Sequence, residues 1–159
     1  MAAQSTRDLV ITRVFDAPRT DVWKAWTDAE RVMCSWGPND YTTPFCTIDL
    51  RPGGKILTCM RSPEGRDVWS TGVYRDIDAP QRLVCSDAFA DEKGNVVPAS
   101  YYGMDVEWPA DVLVTVTLEE RSGKTTLTLK QGPVPAGEFG DQSEAGWQQS
   151  LDRLAACLE

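Results

Sequence analysis

Near the C-terminus, Trp147, Leu151, Leu154, Ala155 and Leu158 recur at spacings of four and three, and Gln148, Gln149, Asp152 and Arg153 fall between them. On a 3.6-residue wheel the apolar set makes a stripe roughly 100° wide. This pattern predicts an amphipathic helix within the stretch from about Phe139 to Leu158, about 27 Å long from its cap at Asp141 and able to cross a whole sheet. Asp141 and Glu144 follow a run of Pro133, Pro135, Gly137 and Gly140 and read as the capping box that opens it. Trp147 lies early on the apolar stripe, with Leu151 one turn on. Arg153 falls on the opposite face and is expected to affect neither stability nor binding.

Upstream, Asp8 to Phe15 is rich in Val, Ile, Thr and Phe and reads as a first strand. Pro18 suits the first turn of a helix carrying Val22, Trp23, Ala25 and Trp26. Asp28 is placed to cap a second helix, with Ala29, Val32, Met33 and Trp36, that Gly37-Pro38 stops. From Tyr41 the period changes to two. Cys46, Ile48 and Leu50 alternate, then Ile56, Thr58 and Met60, with turns at Arg51-Pro-Gly-Gly54 and Ser62-Pro-Glu-Gly65. Trp69, Val73 and Ile77 are expected to share one face of the next strand. Asp78-Ala-Pro80 turns the chain into Leu83, Cys85, Asp87 and Phe89, which share another.

Residues 90–111 hold Tyr101, Tyr102, Met104 and Trp108 among glycines and prolines, a long loop with aromatic weight, and such loops serve as lids or pack as plain surface. Val112, Val114, Val116 and Leu118 alternate, Ser122-Gly123 turns, and Leu127 and Leu129 complete the last strand. The expected order is β-α-α-β-β-β-β-β-β-α in one domain spanning residues 1–159. It makes an α+β fold in which a curved antiparallel sheet of about seven strands buries its apolar face under the C-terminal helix. A narrow helical stripe meets a broad curved sheet along a line, which leaves room beside it for side chains or a ligand.

Composition narrows the function. The 16 Lys and Arg against 24 Asp and Glu give a net charge of −8, which argues against nucleic acid and anionic membranes as partners. No leader-like or membrane-spanning run is seen, so a cytoplasmic protein is expected. The chain has no histidine, which removes the commonest general base and transition-metal ligand. No metal and no cofactor are expected. Five cysteines (Cys34, Cys46, Cys59, Cys85, Cys157) form no C-x-x-C pair and read as reduced, unreactive thiols of a reducing compartment.

The order of elements and their motifs resemble the START-like, helix-grip superfamily, also called SRPBCC, and within it the small bacterial homologues of the activator of heat-shock-protein ATPase. The resemblance is carried by Arg13-Val-Phe-Asp-Ala-Pro18, Val22-Trp23-Lys-Ala-Trp-Thr27, Trp36-Gly-Pro38, Asp49-Leu-Arg-Pro-Gly-Gly54, Gly72-Val-Tyr74, Gly146-Trp147 and Ser150-Leu-Asp-Arg-Leu154. Ser35 departs from it, since relatives carry a second tryptophan there. The resemblance implies a cavity under the C-terminal helix that takes varied apolar or aromatic small molecules, and it implies no single chemistry.

Within that frame, Trp36, Met60, Trp69, Phe89, Tyr102, Trp108, Phe139, Trp147 and Leu151 are the expected ligand-binding residues, each with core packing as its alternative. Asp87 would need a partner, Arg75 or Lys130, or would act as a base of raised pKa. Asp105 and Glu107 are a second candidate acid/base pair or cation holder, with solvated loop charges as their alternative, and Tyr102 is a candidate proton donor. Three functions follow. The first is a non-enzymatic binder of a small hydrophobic or aromatic molecule. The second is a cyclase- or hydrolase-like enzyme working through a cavity carboxylate. The third is a co-chaperone-like interaction module using the outer sheet face. Homodimerisation is left open.

Overall fold

The computed structural model describes residues 4–158. Strand β1 (Thr6–Phe15) leads into helices α1 (Arg19–Thr27) and α2 (Ala29–Ser35). Pro18 precedes α1, and the Asp28 carboxylate accepts from the Glu30 amide at 3.0 Å to cap α2, as its position predicts. Strands β2 (Thr42–Ile48), β3 (Lys55–Arg61), β4 (Asp67–Asp78), β5 (Arg82–Ser86), β6 (Ala88–Ala90), β7 (Leu113–Arg121) and β8 (Lys124–Pro135) precede helix α3 (Glu138–Cys157). They form one antiparallel sheet in the order β1-β8-β7-β5-β4-β3-β2, with β6 also on β4. The sheet thus has eight strands, one more than the alternation predicts.

The added strand arises from a break at Asp87. Strand β5 pairs with β4 as far as Cys85, β6 resumes at Ala88 opposite Thr71, and between them the Asp87 amide donates to Val112 O at 3.0 Å. Gly72 permits this kink, since a Cβ there would lie 2.0 Å from Ser86 O. A second irregularity corrects the expected faces of β4. Its pairing shifts register between Tyr74 and Asp76, so Val68, Ser70, Gly72 and Tyr74 face inward and Trp69 faces away. Alternation read straight through such a bulge puts residues on the wrong side. Trp69 lies against Phe45 instead, with ring centroids 5.3 Å apart.

Helix α3 begins at Glu138, behind Gly137, and not at the expected Asp141. Acidic residues suit the first turn of a helix as well as its cap, so the pattern does not fix the start. Here Asp141 and Glu144 meet Arg7 of β1 at 3.1 and 3.9 Å. Gly140 fits within this first turn because a Cβ would come 2.8 Å from Pro135 O. At 20 residues the helix is about 30 Å long, and Leu151 and Leu154 on its stripe join Ile11, Val116, Leu127 and Leu129 in the main core.

The thiol expectation is corrected at two positions. Cys34, in the last turn of α2, and Cys157, the last residue of α3, are joined in a disulfide across 123 residues of sequence. No spacing motif announces this, because only the docking of α3 on α2 brings the two helix ends together. Cys46, Cys59 and Cys85 are free, so cysteine number alone no longer points to a compartment. Burial pushes Cys46 up to about 11 and Cys85 to about 12, and raises Cys59, which keeps all three thiols protonated and slow.

Titration of the denatured, unreduced protein is expected to find three thiols and, after reduction, five. Loss of the bridge in Cys34→Ser/Cys157→Ser should lower stability by about 2–4 kcal/mol in denaturant unfolding, because a long loop is then no longer closed in the unfolded chain. Five thiols before reduction would contradict the assignment.

Candidate functional site

The line contact between α3 and the concave sheet leaves a cavity of about 300 Å³. Its walls come from six places: Phe139, Ser143, Gly146 and Trp147 of α3; Met60, Val68 and Ser70 of β3 and β4; Asp87 and Phe89 at the strand break; Met104 and Trp108 of the long loop; Trp36, Pro38 and Tyr41 after α2; and Gln131 of β8. Behind it lies a void of about 40 Å³, bordered by Trp26, Tyr74, Cys85 and Val114, and Trp36, Ser70, Asp87 and Trp147 border both spaces.

Trp147 divides the two. Its ring stacks on Trp26 at 6.0 Å and meets Trp36 edge-on at 5.5 Å. Its indole N–H donates to Gln131 Oε1 at 2.8 Å, and Gln131 Nε2 donates to Asp87 Oδ2 at 2.6 Å. An indole can only donate, so Gln131 must turn its carbonyl to Trp147 and its NH₂ to Asp87. The Asp87 backbone is held too, since its carbonyl accepts from the Trp108 indole at 2.7 Å. Carboxylate, amide and two indoles are thereby fixed from four segments of the chain.

Oxygen Oδ1 of Asp87 has no protein partner among the described residues, and no Lys or Arg side chain lines the cavity. Arg75 is exposed, and Lys130 reaches Asp8 at 3.6 Å, so neither cationic partner expected for Asp87 meets it and Gln131 takes their place. Burial raises the Asp87 carboxyl to about 6, and the Gln131 hydrogen bond offsets only part of this.

Six of the nine residues expected to bind ligand border the cavity: Trp36, Met60, Phe89, Trp108, Phe139 and Trp147. Three do not. Trp69 points away, as the β4 bulge dictates, and Leu151, 1% exposed, is enclosed in the core. The Tyr102 hydroxyl accepts from the Trp69 amide at 3.0 Å and donates to Ala90 O, so its proton is committed to the sheet edge. Asp105 and Glu107 are exposed and outside the cavity lining. The loop that carries them is pinned: Tyr102 O accepts from Arg66, Trp108 packs on Phe89 and Phe139, and the Glu107 backbone exchanges two hydrogen bonds with the Gln4 side chain.

A scan against protein families places residues 16–159 on the model described as Activator of Hsp90 ATPase homolog 1-like protein. The chain belongs to this family. No curated protein matches it. Among solved structures, a protein of Chromobacterium violaceum is 25% identical at a TM-score of 0.77, with 96% of each chain covered. One from Arthrobacter aurescens is 26% identical at 0.76, covering 97% of this chain and 90% of that one. The AHSA1 protein of Silicibacter pomeroyi is 22% identical at 0.74, covering 94% and 96%, and shares the fold.

In this member of the Hsp90-ATPase-activator-homologue family, three residues in or around the site escape the sequence reading. Gln131 continues the inward alternation of Leu127 and Leu129 and is 4% exposed. A polar residue at an inward register position was the available signal. Arg153, expected to be inert, donates from Nη1 to the carbonyls of Trp36, Gly37 and Pro38 at 3.3, 3.0 and 3.0 Å. Gln149 likewise accepts from the Asn39 amide at 2.9 Å. The helix wheel missed both because it treats every non-core face as solvent, and α3 here also meets the segment leaving α2.

Two outcomes follow. Arg153→Ala should destabilise the fold by about 1–3 kcal/mol, since three carbonyls lose a charged donor, and Arg153→Lys should recover only part of this in denaturant unfolding; an unchanged midpoint for Arg153→Ala would contradict the contact. For Asp87 the folded pKa of about 6 exceeds the unfolded value near 3.8, so the folded state binds the proton more tightly. Its favourable contribution is complete below about pH 4 and is lost as pH rises through about 6. Against Asp87→Asn, wild type should therefore lose on the order of 1–3 kcal/mol across that window. A flat difference would show an ordinary carboxylate.

Proposed function

We propose that this protein binds a small, largely apolar or aromatic molecule in the cavity between α3 and the sheet, without transforming it. The observation that carries this reading is the cavity itself, about 300 Å³, whose walls are mostly apolar, with six aromatic and two thioether side chains beside six polar residues, the composition of small-molecule sites. Membership of a family with the helix-over-sheet fold supports it. The chain has no helix long and apolar enough to cross a membrane among the described residues.

An acid–base enzyme is the second reading, and Asp87 is the observation in its favour, being a carboxyl of raised pKa that borders the cavity and has a hydrogen bond to Oδ2 alone. It ranks lower because Tyr102, Asp105 and Glu107, the other candidates, lie outside the lining and leave Asp87 without a second catalytic group. The family's description also names chaperone activation, which would require a contact surface. Val10 and Val14 of β1, 58% and 61% exposed, are isolated apolar positions on the outer face.

The test is titration of the protein with N-phenyl-1-naphthylamine, a neutral fluorescent probe. One saturable site is expected, and Trp147→Ala should change its affinity about tenfold or more while costing only about 1–2 kcal/mol, since a ring bordering existing space gives up fewer contacts. No binding to wild type, together with a stability loss of about 3–5 kcal/mol in Trp147→Ala, would leave α3 as a structural clamp over a filled core.

A further inference from the structure

Resting on that reading of the cavity, we infer that the ligand is a cation, a protonated or quaternary amine carried on an apolar or aromatic body, with its charge seated against Asp87. Carboxylates drawn out of bulk water are ordinarily paired with a cation or fully hydrogen-bonded, and Asp87 is half-buried in the cavity wall. Asp87 is neither: Gln131 reaches only Oδ2, no salt bridge involves it, and none of the lining residues is Lys or Arg. Among the described residues no cation faces Asp87, and Asp87 borders the cavity.

The surroundings of that space suit a cation in particular. Trp108 donates to the carbonyl of Asp87, and Trp147 is tied to its carboxylate through Gln131, so two indoles flank the acid. Phe89 and Phe139 pack on Trp108 at 5.1 and 6.0 Å, and Trp36 meets Trp147 at 5.5 Å. Aromatic rings lining one cavity together with a negative charge are the chemistry by which proteins hold alkylammonium groups, and tryptophan is the best of the rings. An anionic ligand would meet Asp87 with like charge and no compensating donor, and a neutral one would leave Oδ1 desolvated without a partner. The net charge of −8 favours the approach of a cation and opposes that of an anion.

The preference must follow the charge on Asp87, and the groups around it leave that dependence clean. On its own strand the nearest titrating side chain is Cys85, held at about 12, and β4 offers Tyr74, raised well above its ordinary value by burial, with Ser70. From β8 comes Gln131, from the long loop Trp108 and from α3 Trp147, none of which titrates, and Tyr41 stands elsewhere in the lining.

The experiment is displacement of N-phenyl-1-naphthylamine by a matched set sharing one ring system: 1-naphthylmethylamine, 1-naphthylmethanol and 1-naphthoic acid. At about pH 7.5, where Asp87 is ionised and the amine protonated, the amine should bind at least about tenfold more tightly than the alcohol, with the acid weakest. Asp87→Asn should bring the amine within about twofold of the alcohol, the ratio of the two affinities being the readout. Independently of any variant, lowering the pH of wild type below about 6 should erase the preference as Asp87 takes up its proton. Equal binding of amine and alcohol to wild type, or a preference that survives in Asp87→Asn, would overturn the inference and leave the binding cavity standing. Failure of the neutral probe and the alcohol to bind at all would overturn both.

Discussion

An indole N–H cannot accept a hydrogen bond, and that constraint orders the interior of this protein. Because Trp147 must donate, Gln131 has one permitted orientation, and its NH₂ then has one acceptor within reach, the carboxylate of Asp87. Helix α3, strand β8 and the break between β5 and β6 are thus joined by two hydrogen bonds with a fixed direction. If the amide turned over, both contacts would fail at once, since NH₂ would face N–H and carbonyl would face carboxylate. Such a chain holds α3 at one height and one rotation above the sheet more tightly than apolar packing alone, which tolerates sliding.

The same arrangement explains why the fold keeps a cavity. The Asp87 kink withdraws a stretch of edge from regular pairing, the long loop reaches back to it through Trp108, and Arg153 braces the segment after α2 from the other side. Each wall of the cavity is held by polar contacts behind it, so the walls do not need to meet one another. A carboxylate held by a single amide hydrogen bond is an unfavourable thing to draw out of water, and proteins retain such groups where they serve a site. The disulfide between Cys34 and Cys157 secures the far end of α3 to α2, one residue before Ser35, whose carbonyl takes the Ser150 hydroxyl.

Periodicity made most of the architecture legible. The helical stripe of α3, the Asp28 cap and the Ser122-Gly123 hairpin all follow from local chemistry and appear where the residues indicate. What local patterns miss is consistent in kind. The β4 bulge reverses Trp69 because alternation carries no record of an extra residue, and the kink at Asp87 makes two strands from one apolar run. Tyr102 shows that an aromatic in a loop can be spent on pinning a sheet edge. Arg153 and the Cys34–Cys157 bridge depend on helix ends far apart in sequence, so neither has a local signature. Gln131 is the instructive case, since a polar residue on an inward register position is visible in the sequence and marks where a buried acid needs a partner.

The central claim is that Asp87 is a half-buried, singly hydrogen-bonded carboxylate in the wall of the ligand space. Carbon-13 NMR of its carboxyl through a pH titration, without ligand and then with saturating 1-naphthylmethylamine, tests this at the atom concerned. The account predicts a midpoint near 6 in the free protein, falling by about one unit or more when the ammonium sits beside it, because a neighbouring positive charge favours the ionised form. A midpoint near 4 in the free protein, unmoved by the amine, would show a solvated carboxylate with no part in recognition.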